Sequence, residues 1–131
     1  MNITLESDYA IRIVGTLCNS GKRLDAKTIS EKTAVSLRFA LKILRKLVAA
    51  KIVVSFKGTL GGYELARPAA NITLKDVIEA IEGKLVVSKC LTESYECSRG
   101  MSGKCGYQKV FTEISLLVNE KLSEYTFDKF Q

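Results

Sequence analysis

The sequence predicts a mainly α-helical fold, a winged helix-turn-helix with a two-stranded β wing and a long C-terminal dimerisation helix, and three observations carry that reading. Apolar residues recur at three- and four-residue steps along the helical stretches, the period of helices with one buried face. Two β-rich runs, IVVSF at 52–56 and YELA at 63–66, flank the glycine-rich KGTLGG, a hairpin signal. Between Lys22 and Lys57 ten Lys or Arg face two acids, leaving +8, whereas the remainder of the chain carries −2. Such a concentration of basic charge suggests a polyanionic partner.

Each element follows from local chemistry. Over 4–19, Leu5, Tyr9, Ile13 and Leu17 lie at four-residue spacing, with Ala10 and Val14 beside them. Thr4 is placed to cap this first helix, and Glu6 and Asp8 fall in its first turn, where the helix dipole favours acids. Ser20-Gly21 ends it. Asp25 caps a short helix, AKTISEKT, with Ala26, Ile29 and the Lys32 methylenes inward, and a turn at Ala34-Val35 follows. Ser36 caps LRFALKILRKLVAAK, where Leu37, Ala40, Leu41, Leu44, Leu47 and Val48 form the apolar stripe and Arg38, Lys42 and Arg45 line the other side. Two helices joined by a tight turn, the second with a basic face, are the pattern of a helix-turn-helix that enters the major groove. Leu41 is also placed to face that groove.

In the wing, Gly58, Gly61 and Gly62 are expected at positive φ. Lys57 sits at its shoulder, within reach of phosphate or minor groove, and Arg67-Pro68 closes the second strand. Thr73 opens the next helix with Asp76 completing a capping box, Leu74, Val77, Ile78 and Ile81 inward, and Gly83 at its end. After LVVSK and a cysteine-bearing loop, a long helix runs from about Tyr107 to Tyr125, with Phe111, Ile114, Val118, Leu122 and Tyr125 in one stripe widened by Val110 and Leu117. A compact winged unit leaves it little core to cover, so pairing with the same helix of a second copy is expected, the alternative being packing back on the chain's own first helix. The chain divides into a DNA-binding unit at 1–83, a cysteine loop at 84–106, and a dimerisation helix and tail at 107–131.

Composition narrows the function. A chain of 131 residues with 47% hydrophobic content buries a core without staples. No apolar run approaches the roughly 18–20 residues of a membrane span, and MNITLESDYAIR opens with acids, unlike a secretory signal, so no membrane partner and a cytoplasmic location are expected. With no histidine, no Ser-based triad and no GxxxxGK[ST] loop, an enzyme is not expected.

The segment KCLTESYECSRGMSGKCGYQ spaces Cys90, Cys97 and Cys105 as C-x6-C-x7-C among glycines. In a reducing compartment, clustered thiols point to an iron–sulfur cluster or zinc, or to a thiol switch. Both metal centres usually take four protein ligands. Histidine cannot complete the set here, which leaves Glu93, Glu96, Gln108, a small molecule or a residue from elsewhere in a dimer. Cys18 lies within the apolar first helix and reads as core.

SDYAIR, ISEKTAVSLRFALKILRKLVAAKIV, FKGTLGGYELAR, ITLKDVIEAIEG and the three cysteines before a long helix together resemble the IscR/NsrR-type regulators of the Rrf2 family, over essentially the whole chain. The resemblance implies a homodimeric transcription regulator that binds palindromic promoter sites in double-stranded DNA and senses cluster status, nitric oxide or redox state. It further implies that Cys90, Cys97 and Cys105 hold an iron–sulfur cluster, 2Fe-2S or 4Fe-4S. Some members use a histidine three residues after the last cysteine as the fourth ligand, and here Gln108 stands at that position. In the nitric-oxide-sensing branch the fourth ligand is an aspartate of the partner subunit's first helix, which corresponds to Asp8. Other relatives respond through thiol oxidation or a partner protein, so a regulator of the same fold with a thiol/disulfide switch or zinc is the alternative. On the DNA side the candidates are Ser36, Arg38, Phe39, Lys42, Arg45 and Lys46 of the recognition helix, with Lys57, Gly58 and Thr59 of the wing. Arg38 and Lys42 are expected to read bases, Lys46 and Lys57 to hold phosphate.

Overall fold

A computed structural model describes residues 2–131. Helices α1 (Leu5–Ser20), α2 (Ala26–Thr33) and α3 (Leu37–Ala49) are followed by strands β1 (Val53–Phe56) and β2 (Gly62–Leu65), then α4 (Leu74–Glu82) and α5 (Gly106–Ser123). Each of the first four helices starts where a polar side chain can accept a backbone N–H. Thr4 accepts from Ser7, Asp25 from Thr28 and Ser36 from Phe39, while Thr73 and Asp76 form a reciprocal capping box. The Asp25 carboxyl is held below the usual carboxylate range by the Thr28 backbone N–H.

Between α2 and α3 the chain turns at Ala34, in the left-handed region at φ 57°. The strands pair antiparallel from Val53↔Leu65 to Phe56↔Gly62. Leu24 adds one rung on the free edge of β2, exchanging both backbone hydrogen bonds with Tyr63 at 2.9 and 2.7 Å. Arg67 then clamps the base of the hairpin, donating to the carbonyls of Lys51 and Asn71 at 3.1 and 2.9 Å and pairing with Asp76 at 3.2 Å.

The core lies where α1, α2, α3, the hairpin base and α4 meet. Ala10, Ile13, Val14, Ile29, Ala40, Ile43, Leu44, Ile72 and Val77 are fully enclosed there. Cys18 is buried in it as expected, and burial pushes its thiol pKa up. Phe127, in a short 3-10 turn after α5, also enters this core. The tail reaches it by backbone pairing: Leu74 N–H donates to Tyr125, and Phe127 N–H to Ile72, at 2.9 and 3.0 Å.

Four packing expectations are corrected. Leu5 is 63% exposed, because Ser7 takes the inward place in the first turn and donates its hydroxyl to Glu82. Leu37, at the first residue of α3, is half-exposed, and Ile43 completes that buried face instead. Lys32 points outward. Gly61 is not at positive φ as Gly58 and Gly62 are; it is required because a Cβ there would stand 2.5 Å from the Phe56 carbonyl oxygen.

Candidate nucleic-acid interface and cysteine cleft

The candidate recognition face is built by burying the opposite side of α3. With Ala40, Ile43, Leu44 and Leu47 enclosed, Arg38, Phe39, Leu41, Lys42 and Arg45 line one open hollow of about 590 Å³. Leu41 therefore belongs to this outward side. Ser36 holds its hydroxyl oxygen toward the Phe39 N–H at 3.3 Å, so it fixes the start of the helix. Phe39 stands edge-on to Tyr9 of α1 with centroids 6.2 Å apart.

Lys46 differs from the other basic residues. Its Nζ lies 2.8 Å from Glu6 Oε1 on α1, and Lys42 Nζ lies 3.8 Å from the same oxygen. The hydrogen bond from Lys46 holds the Glu6 carboxyl below the usual carboxylate range. Sequence reasoning treated Glu6 only as a first-turn acid. Its partner is 40 residues away, and nothing local signals the pairing.

At the wing, Lys57, Gly58 and Thr59 are exposed at the tip, and Leu60 beside them is 84% exposed. Arg23, which the charge count alone registered, braces this tip. Its guanidinium carbon lies 3.4 Å from the centroid of the Phe56 ring, and its Nη1 donates to the Leu60 carbonyl at 3.0 Å.

Cys90, Cys97 and Cys105 line one cleft of about 260 Å³ together with Tyr95, Arg99 and Gln108. All three thiols are half-buried. Each has a polar neighbour: Ser88 Oγ lies 3.2 Å from Cys90 Sγ, Arg99 Nη2 donates to Cys105 Sγ at 3.6 Å, and the N–H groups of Met101 and Arg99 hold the Cys97 thiol pKa below its ordinary range. Cys105 is also the residue from which α5 starts. The donor chemistry suits a thiolate-bound centre. The sulfurs are not drawn together, however: among the described residues no three His, Cys, Asp or Glu side chains are grouped closely enough to hold a metal ion.

Gln108 is a clasp. Its Oε1 accepts from Gly103 N–H at 2.8 Å and its Nε2 donates to the Cys90 carbonyl at 3.1 Å, so α5 grips the loop at two points. Asp8 does not line the cleft of its own chain; it pairs with Arg12 one turn on at 2.8 Å. Along α5, Ser115 is buried, and Val118 and Leu122 face a groove shared with Ile78 and residues 85–87. Tyr107, Val110, Ile114 and Leu117 form an outward stripe at helical spacing, exposed by 70, 50, 37 and 65%.

The sequence profile of the family Rrf2, described as iron-dependent transcriptional regulator, matches residues 3–131. Protein aau3 of Rhizobium meliloti is 31% identical over 129 residues, covering 98% of this chain and 83% of that protein. The HTH-type transcriptional regulator NsrR of Oceanobacillus iheyensis is 28% identical over 131 residues, covering 98% and 88%. Among solved structures, T. potens IscR superposes with a TM-score of 0.75 at 21% identity, covering 99% of this chain and 85% of that one. CymR, the global cysteine regulator of B. subtilis, does so with a TM-score of 0.77 at 22% identity, covering 99% and 95%. These two likenesses establish the winged-helix fold.

Proposed function

The chain belongs to the Rrf2 family of DNA-binding transcriptional regulators, which are not enzymes, and from that premise we propose that it acts as a homodimer whose cysteine loop reports iron–sulfur cluster status, nitric oxide or redox state to its DNA-binding face. The observation that carries the reading is the placement of three thiols on one cleft at the foot of a helix with an unpartnered apolar stripe. Cys90, Cys97 and Cys105 would hold the cluster once the loop draws their sulfurs together, and Asp8 of the second subunit would complete the set. An iron–sulfur cluster supplies redox-active, nitric-oxide-reactive iron when bound. The stripe Tyr107, Val110, Ile114 and Leu117 pairs the two copies, so that two recognition helices address a palindromic promoter site.

The chain's own residues connect loop to DNA. The N–H groups of residues 101 and 99, with the Arg99 charge, stabilise the Cys97 thiolate, and Gln108 ties the loop's position to α5. The chain enters the loop from α4, whose last residue, Glu82, accepts hydrogen bonds from Thr4 and Ser7 at the start of α1. Through Glu6 and Tyr9, α1 in turn touches α3. Coupling requires that the loop's two states differ in these contacts, since a ligand shifts an equilibrium only by its differential affinity.

Anaerobic purification followed by absorption spectroscopy of the wild type beside Cys97→Ala and Asp8→Ala tests the site. Visible sulfide-to-iron bands are expected in the wild type, lost in Cys97→Ala and shifted in Asp8→Ala. An unchanged Asp8→Ala spectrum removes that ligand. A colourless wild type favours the second reading, a reversible disulfide or zinc among the same thiols, for which the lowered pKa of Cys97 is the supporting observation. On DNA, Lys57→Ala is expected to weaken binding to all sequences and flatten its salt dependence, whereas Arg38→Ala mainly relaxes specificity. Equal effects of both on cognate and random duplex refute that division.

A further inference from the structure

A paired negative charge stands at the edge of the basic recognition face. Glu6 Oε1 is 2.8 Å from Lys46 Nζ and 3.8 Å from Lys42 Nζ, and the Glu6 side chain is only 24% exposed. The helices that carry the pair are held against each other: Ala10 and Ile13 of α1, and Ala40 and Ile43 of α3, are fully buried, and Tyr9 meets Phe39 edge-on, so the Glu6 backbone stays beside α3. Two of the four basic side chains on α3 therefore already share a carboxylate when no DNA is present.

We propose that Glu6 is an intramolecular competitor of the DNA phosphate, which holds Lys46 and Lys42 back from non-cognate duplex and so sets the specificity of the regulator. The inference rests on α3 being the DNA-contacting helix. Non-cognate binding is almost wholly counterion release by phosphate contacts. A lysine that must first leave a carboxylate contributes less to it, and the abandoned carboxylate then repels the backbone. At a cognate site the base contacts made from the start of α3 offset this loss; on random sequence nothing does. Discrimination is a difference of affinities, and an element that acts against the wrong partner raises it as surely as one that favours the right partner.

The test is the affinity of the full-length protein for a random-sequence duplex and for a duplex obtained by in-vitro selection, each across a salt series. Glu6→Gln is expected to bind random duplex severalfold more tightly, with log K against log salt steeper by about 0.9 for each lysine freed. Selected duplex gains less, so the ratio of the two affinities falls. Glu6→Ala, which also keeps a strong helix former at this position, gives the same result. Adding Lys46→Met to Glu6→Gln removes most of the gain. Random-duplex affinity and slope that stay at the wild-type value or fall, or a gain that persists in the double variant, overturn the proposal. Arg38→Ala measured in parallel separates the two readings: lost sequence preference there with no gain in Glu6→Gln refutes the competitor and keeps α3 as the reading helix, while intact preference refutes both.

Discussion

Replacing Gln108 by Leu removes both grips of α5 on the cysteine loop while keeping a side chain of similar length. Two neutral hydrogen bonds are lost, to the Gly103 N–H and the Cys90 carbonyl. At a net of about 0.5–1.5 kcal/mol each, the loop loses about 1–3 kcal/mol, a rise in local opening of roughly 5- to 150-fold. Amide hydrogen exchange read by NMR reports this directly. Gly103 bonds Gln108 itself, and Gly100, Lys104, Leu91 and Thr92 donate to carbonyls within the loop. Their exchange is expected to accelerate by that factor while the buried amides of α1 and α3 keep theirs, because Gln108 lies outside the core cluster. Gln108→Glu sharpens the test. A carboxylate can still accept from Gly103 but turns an oxygen toward the Cys90 carbonyl, so the Cys90 end opens and the Gly103 end stays protected. Unchanged exchange in Gln108→Leu, or equal loss at both ends in Gln108→Glu, refutes the clasp.

Phe127→Ala opens a cavity in the core and is expected to cost about 3–5 kcal/mol in urea unfolding, although residue 127 follows the last long helix. Glu6 has a folded pKa below its ordinary 4.5, so the stability it adds is complete above that value and is lost as pH falls through the lower folded pKa; the stability gap between wild type and Glu6→Gln should narrow as pH drops below about 4.5, and a gap independent of pH contradicts the ion pair. In metal-free protein, iodoacetamide should label Cys97 first, with a pH profile displaced below the ordinary thiol value of 9.0, and Cys18 last, as mass spectrometry across a pH series can establish.

What could be read in the sequence is what depends on near neighbours. Thr4, Asp25, Ser36 and Thr73 announce helix starts because each cap acts over three residues, and KGTLGG announces a hairpin because its turn needs glycine where a side chain would collide or φ is positive. Contacts formed only when the chain closes on itself were not legible. Glu6 meets Lys46 across 40 residues, Arg23 reaches the Phe56 ring and the Leu60 carbonyl, and Phe127 enters a core begun by α1. The exposed places of Leu5 and Leu37 show the limit of periodicity: it names a helix face but not how far along the axis the neighbours extend. Gln108 looked like a ligand position without a ligand; the structure gives its amide two partners, one of them only five residues away.

The seat of Phe127 also bears on how the protein is made. A nascent chain that has emerged only through α4 already holds α3 and the wing, yet Ile72 and Cys18 still face the space where that ring and its backbone belong. A deficit of about 3–5 kcal/mol is a large share of the roughly 5–15 kcal/mol that holds a domain of this size folded. Completion of the core under α3 thus waits until the cysteine loop and α5 have been synthesised. A fragment that retains α3 but lacks the tail therefore also lacks the ring that completes the core shared by α1, α3 and α4.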